Sequence, residues 1–228
     1  KTQPMKKLIK YRFFGKDIPV DENLIIKRSD LEKHLVINGF KFDNILFVKQ
    51  VHGNNVITVD NENKIHDQNN LPEADAIVTN QKNLVIAVVT ADCAPIILQD
   101  KENDIIGVIH AGWRGTLSGV VEEGFKAMKN LGAQNILCEI GPMIQKNSYK
   151  VSHDLYDKFI EADQEYKKFF INSNVAWKYE FDLNGLIADK LKNLGVTNVK
   201  NDKIDTLLNT DKYHSYRRST ISKEKNCG

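Results

Sequence analysis

His110-Ala-Gly-Trp-Arg-Gly-Thr116 sits between two runs of different period. Before it, Ile105-Ile-Gly-Val-Ile109 is a short apolar stretch, as in a buried strand. After it, Leu117, Val120, Val121, Phe125 and Met128 recur at helical spacing, and Gly132 follows. The pattern predicts a strand, a tight glycine turn and a helix over 116–131, with a histidine at the strand end. Ligands and active sites favour such junctions.

Further strands are expected at 44–51, 76–79, 84–90, 136–140 and 196–199, from their Val, Ile and Leu content. Ser29-Asp-Leu-Glu32 has the form of a capping box, with Gly39 as the stop of its helix. An amphipathic helix is predicted over 155–169. Another follows an Asp182 cap through Leu186, Ile187, Leu191 and Leu194, with Gly195 behind it. Strands alternating with helices predict a mixed α/β class, β-sheets flanked by helices. The Asn- and Asp-rich stretch 60–70 reads as a surface loop inside one domain spanning 1–228, with Lys1–Pro4 set aside as a leftover ahead of Met5.

The 228 residues are 41% apolar, enough for a sizeable core. A net charge of +2 gives no reason to expect nucleic acid as a partner. The longest apolar run, Leu84–Val89, is too short for a membrane span. Three scattered cysteines, Cys93, Cys138 and Cys227, form no disulfide framework and fit a reducing cytoplasm. A monomer or a homodimer is expected.

His52 follows one predicted strand, Cys93 lies beyond the strand expected to end at Thr90, and His110 closes a third. If those strand ends share an edge, two imidazoles and a thiolate meet there. Three protein ligands with a free fourth position mark catalytic rather than structural zinc; copper accepts the same donors. An ordinary buried thiol with capping histidines is the competing reading. The glycines of the turn, the helix N-terminus after it and the planar donor of Arg114 suit an anion. Asp75 and Asp92 stand near strand ends and could orient a ligand histidine or act as bases. Gly141-Pro142 reads as a turn, and Tyr213-His-Ser-Tyr-Arg-Arg218 as a surface strand. His34, His66 and His153 are bystanders.

Five motifs occur in order: Gln50-Val-His-Gly53, Ala74-Asp-Ala-Ile-Val-Thr79, Thr90-Ala-Asp-Cys93, His110-Ala-Gly-Trp-Arg-Gly-Thr116 and Ile140-Gly-Pro142. Together they resemble the laccase-domain, or multicopper polyphenol oxidoreductase, family of purine nucleoside phosphorylases, with peptidoglycan editing factor and FAMIN among its members. The resemblance implies a fold similar to cysteine-hydrolase toxins, and zinc on His52, Cys93 and His110. It implies phosphorolysis of adenosine, inosine and methylthioadenosine, with adenosine deamination beside it. The implied partners are a purine nucleoside and phosphate. The implied catalytic set is His52, Cys93, His110, Asp92 and Arg114; Arg114, Gly115, Thr116, Gln50 and Asp75 would bind substrate. The chain departs from the family pattern in its short route from Phe14 to Ser29, in Lys146-Asn-Ser148, and in lacking a Thr-Gly-Arg close. Other chemistries fit the same residues: a metal-free cysteine hydrolase or deamidase with Cys93 as nucleophile and His110 as base, a copper-dependent polyphenol oxidase, or a binding module without turnover.

Overall fold

The computed structural model describes residues 9–20, 26–60 and 71–226. In chain order the elements begin with α1 (Arg28–Ile37), β1 (Asn44–Leu46), β2 (Val56–Val59), β3 (Ala76–Thr79) and β4 (Leu84–Ile86). Then come β5 (Ala94–Asp100), β6 (Ile105–Ala111), α2 (Trp113–Ser118), α3 (Val120–Asn130) and β7 (Leu137–Ile140). The rest is β8 (Lys150–Ser152), α4 (His153–Ala162), β9 (Phe170–Asn172), β10 (Lys178–Phe181), α5 (Leu183–Asn193), β11 (Val199–Asn201) and α6 (Tyr216–Asn226).

A six-stranded sheet in the order β11-β7-β5-β6-β3-β2 forms the frame. Its pairs are antiparallel from β3 through β6 and β5 to β7, and parallel at both edges. Side chains alternate across it. Ile96, Leu98 and Ile109 bury with Val121 and Met128 of α3 and with Leu186 and Leu191 of α5. On the other face, Ile77 joins Leu46, Leu84 and Ile86. There β1 and β4 form a separate parallel pair beside α1. The class is mixed α/β, sheets with flanking helices, as expected.

The differences are physical. The strand expected over 84–90 stops at Ile86 and pairs only with β1. The central strand is instead β5, which carries Pro95. A proline argues against a central strand, yet the Pro95 carbonyl still accepts from Gly141 N at 2.9 Å. The strand expected over 44–51 shrinks to three residues. The helix over 116–131 starts earlier and breaks at Gly119, whose φ of +92° separates α2 from α3. Ser29 lies inside α1, whose N-cap Lys27 makes no side-chain cap, so no capping box forms; Gly39 does end the turn at φ +71°. Asp182 caps α5 as expected, accepting from Gly185 N at 2.7 Å. The expected strand over 213–218 is a loop leading into α6. The loop over 60–70 falls outside the described residues beyond Asp60, as do Lys1–Pro4 and His66.

Asp100 ends β5 and is fully buried. It accepts hydrogen bonds from the backbone of Glu102, Asn103, Gln134 and Asn135 and from the Asn103 amide. The carboxylate thereby fastens the β5–β6 turn to the segment entering β7. Burial alone would raise its pKa, but the Asn103 side chain and these N–H groups outweigh it and hold the value at about 2. A depressed folded pKa adds stability that is full above the unfolded value and fades as pH falls toward 2. The gap corresponds to about 2 kcal/mol. Asp100→Asn is therefore expected to cost about that much at pH 6 and little at pH 2. Urea unfolding of both proteins across that range checks it, and a difference independent of pH contradicts it.

Candidate metal centre

His52, Cys93 and His110 converge, their ligand atoms all within 4.8 Å of one another. Two antiparallel strands make this possible. Ala94 pairs with Ala111 and Pro95 with His110, so the start of β5 lies beside the end of β6. Cys93 thus enters the site ahead of β5, rather than by trailing β4. His110 is 3% exposed. His52 comes from the loop between β1 and β2 and is exposed, so the cluster has one open side. The two rings meet edge to face at 4.7 Å between centroids.

Asp75 fixes both histidines. Its fully buried carboxylate accepts from His110 Nδ1 at 2.8 Å, and from the backbone of Val51, His52 and Gly53 at 3.3, 2.9 and 2.7 Å. His52 adopts φ +61°, which helps three successive N–H groups wrap one carboxylate. Because ionised Asp75 accepts the hydrogen bond of Nδ1–H, Nε2 of His110 is the nitrogen left to offer a lone pair to a metal. Asp75 thus stands where the sequence reading puts a carboxylate that orients a ligand histidine, its oxygens bonded to His110 and to the backbone of residues 51–53.

The electrostatics suit a soft cation. Burial would raise the Cys93 thiol, but the His110 and His52 imidazoles outweigh it and bring its pKa down. Burial would lower His110, but Asp75 and then Cys93 outweigh it and bring its pKa up. Cys138 shows the contrast: burial pushes it up to about 12. Tetrahedral zinc sets ligand atoms about 3.5 Å apart. Two imidazoles and an easily ionised thiol, already within 4.8 Å, need only a small contraction to reach that spacing. The donor set fits zinc or copper.

The glycines of the turn explain its closeness. A Cβ on Gly112 would lie 2.8 Å from Cys93 Sγ and 3.2 Å from His52 Cδ2. One on Gly115 would lie 2.8 Å from the Gly53 carbonyl oxygen. Thr116 is fully buried, and its Oγ1 has no partner among the described residues. Arg114 is exposed, with its guanidinium 4.5 Å from the Trp113 ring centroid. Gln50 is spent on Val89, exchanging both amide bonds with that backbone at 2.7 and 2.8 Å.

Asp92, at φ +85°, accepts from Thr206 Oγ1, Ser215 Oγ and Arg217 N at 2.7, 2.9 and 2.7 Å. It ties the Cys93 loop to the start of α6. Arg218 goes to three backbone carbonyls, while Arg217 lies over the Tyr149 ring at 5.5 Å. Tyr149 went unread in the sequence. Burial and the nearby Cys93 charge push its phenol pKa up, with Asp92, Arg114 and Arg217 also acting on it. Nothing in Ser148-Tyr-Lys150 marks that position, since the chain brings it to Cys93 from 56 residues away only by folding.

Gly112 has ordinary extended φ and ψ of −79° and 175°, so alanine there meets no backbone strain. Gly112→Ala is expected to leave the fold intact and displace Cys93 Sγ, lowering zinc affinity at least about tenfold. Circular dichroism and competitive zinc titration check both halves. Unchanged affinity would show that the close approach is irrelevant to the ligand set.

The chain is 37% identical over 209 residues to a purine nucleoside phosphorylase of Rickettsia conorii, covering 92% of this chain and 83% of that one. It is 37% identical over 221 residues to a purine nucleoside phosphorylase of Rickettsia prowazekii, covering 93% and 90%. A crystal structure of a Neisseria meningitidis protein superposes with a TM-score of 0.71 at 26% identity, covering 90% of this chain and 79% of that one. The sequence model of one family, described as multi-copper polyphenol oxidoreductase laccase, matches residues 21–228, and the chain belongs to that family.

Proposed function

We propose that this protein is a zinc-dependent purine nucleoside phosphorylase. The reading rests on one observation, the convergence of His52, Cys93 and His110 with an open side, in a chain whose relatives bear that name. In phosphorolysis a phosphate oxygen bonds to the ribose C1′ as the bond from C1′ to the purine nitrogen breaks. The electron pair leaves with the base, which takes up a proton, and ribose-1-phosphate remains. A metal ion held by the three side chains supplies Lewis-acid polarisation of a ligand oxygen.

The chain's own groups have distinct tasks. Arg114 is an exposed cation with no ion-pair partner among the described residues, and it matches phosphate in shape and charge. Gly115 and Thr116 set the turn behind it. The Tyr149 phenol, its pKa pushed up by burial and by the Cys93 charge, is a further proton-bearing group that feels the site. Asp75 holds His110 and the His52 loop, and Asp92 holds the Cys93 loop against α6. Adenosine, inosine and methylthioadenosine are the proposed substrates. Hydrolytic deamination of adenosine is the accompanying activity, and the cytoplasm is the proposed setting. A polyphenol oxidase is disfavoured, because multi-electron oxidation uses several copper centres and the described residues gather one ligand cluster.

Purified protein is expected to carry close to one zinc per chain and to release adenine from adenosine only with phosphate. Cys93→Ala is expected to lose both metal and phosphorolysis. Activity retained without metal would instead support a cysteine hydrolase, in which alkylation stops turnover and chelators do not. Arg114→Ala is expected to raise the KM for phosphate about tenfold or more, with a smaller change for the nucleoside. Equal effects on both would move the anion site away from Arg114.

A further inference from the structure

On the sheet face turned away from α3 lies a cavity of about 680 Å³. Its floor is Ile97, Ile106 and Val108, and α1, β4 and the segment 9–15 wall it. That volume falls within the span of small-molecule sites, about 300–1,000 Å³. Protein interiors otherwise hold few voids larger than a water molecule. Phe13, Phe14, Phe40, Phe47, Val85 and Val108 all stay half-exposed along it. Apolar walls that are only partly covered forgo dispersion contacts that an apolar guest restores.

The polar groups point to the other end of that guest. The lining includes Lys10, Arg12, Lys41 and Lys82 but one carboxylate, Asp104. Lys10 and Arg12 are occupied, by the Asn38 carbonyl and by Asp17 and the Asn38 amide respectively. Lys41 and Lys82 are exposed and have no carboxylate within ion-pair distance among the described residues. Both line the cavity, each just ahead of a strand of the parallel β1–β4 pair. Asp43, two residues past Lys41, accepts from Asn83 Nδ2 at 3.1 Å. Close by, Asn80 lines the cavity with a buried Oδ1 that has no partner among the described residues.

We propose that this cavity is a second ligand site, separate from the metal centre, that takes a free long-chain carboxylate. The alkyl chain lies along the half-exposed aromatic and aliphatic walls. The carboxylate lies between Lys41 and Lys82 at the mouth and accepts from the Asn80 amide NH2, which faces it once the amide nitrogen and oxygen exchange places. Charge complementarity selects an anionic head, and the apolar lining selects the tail.

The test is a fluorescence titration of the full chain with dansyl-undecanoate, followed by displacement with palmitate, hexadecanol and dodecyltrimethylammonium. Saturable uptake is expected, displaced by palmitate, about tenfold less well by hexadecanol, and not by the cation. Lys41→Gln with Lys82→Gln is expected to weaken palmitate about tenfold while leaving hexadecanol unchanged. Both are surface changes that spare the core. Val108→Phe, which fills the floor, is expected to weaken palmitate and hexadecanol alike. Absence of saturable uptake overturns the proposal, and so does equal displacement by palmitate and hexadecanol in the unmodified protein. None of these readouts depends on phosphorolysis, so the two readings fail separately.

Discussion

The Asp75 carboxylate joins two segments that the chain brings together from different strands. Buried beside β3, it accepts hydrogen bonds from Nδ1–H of His110 on one side and from three backbone N–H groups of residues 51–53 on the other. An ionised carboxylate taken out of water is tolerated only when its lone pairs are filled. The four donors meet that demand, and in doing so set the tautomer of one imidazole and the position of the other. The reactive cluster is thus a consequence of satisfying one buried charge.

Cys93 completes the cluster by sheet register. Because β5 runs antiparallel to β6, the residue before β5 and the residue near the end of β6 share an edge. Gly112 and Gly115 then let the helix turn close over them, since a methyl at either place would strike the thiol or the Gly53 carbonyl. The carboxylate of Asp92 secures the other side of the Cys93 loop to the start of α6. Backbone held on both flanks, with one histidine left open, suits a site that must bind, act and release.

The two sheet faces are built differently. Toward α3 and α5 the core is closed, with Ile96, Leu98, Ile109, Val121 and Leu191 at or near zero exposure. Toward α1 the packing is incomplete, and a cavity opens between the sheet, α1 and the segment 9–15. A short two-stranded sheet cannot by itself bury both its neighbours. The same sheet therefore carries a polar reactive edge and an apolar chamber.

Composition and periodicity already determined the mixed α/β class, α3 and its core residues, the Asp182 cap and the histidine at the end of β6. These are local: a helix's repeat or a cap's spacing is written in neighbouring residues. The five ordered motifs likewise pointed to His52, Cys93 and His110 as a set. Only the tertiary structure decided how they meet. Pro95 hid the central strand β5, whose hydrogen bonds survive because a proline carbonyl still accepts. Gln50 and Asp75 read as substrate residues and Asp92 as a base, and it took folding to show the protein donors and backbone groups that partner each of them. Tyr149 carried no mark at all until folding brought it within electrostatic reach of Cys93. A side chain's chemistry depends on what fills its hydrogen bonds and removes its water, and those partners lie far away in sequence.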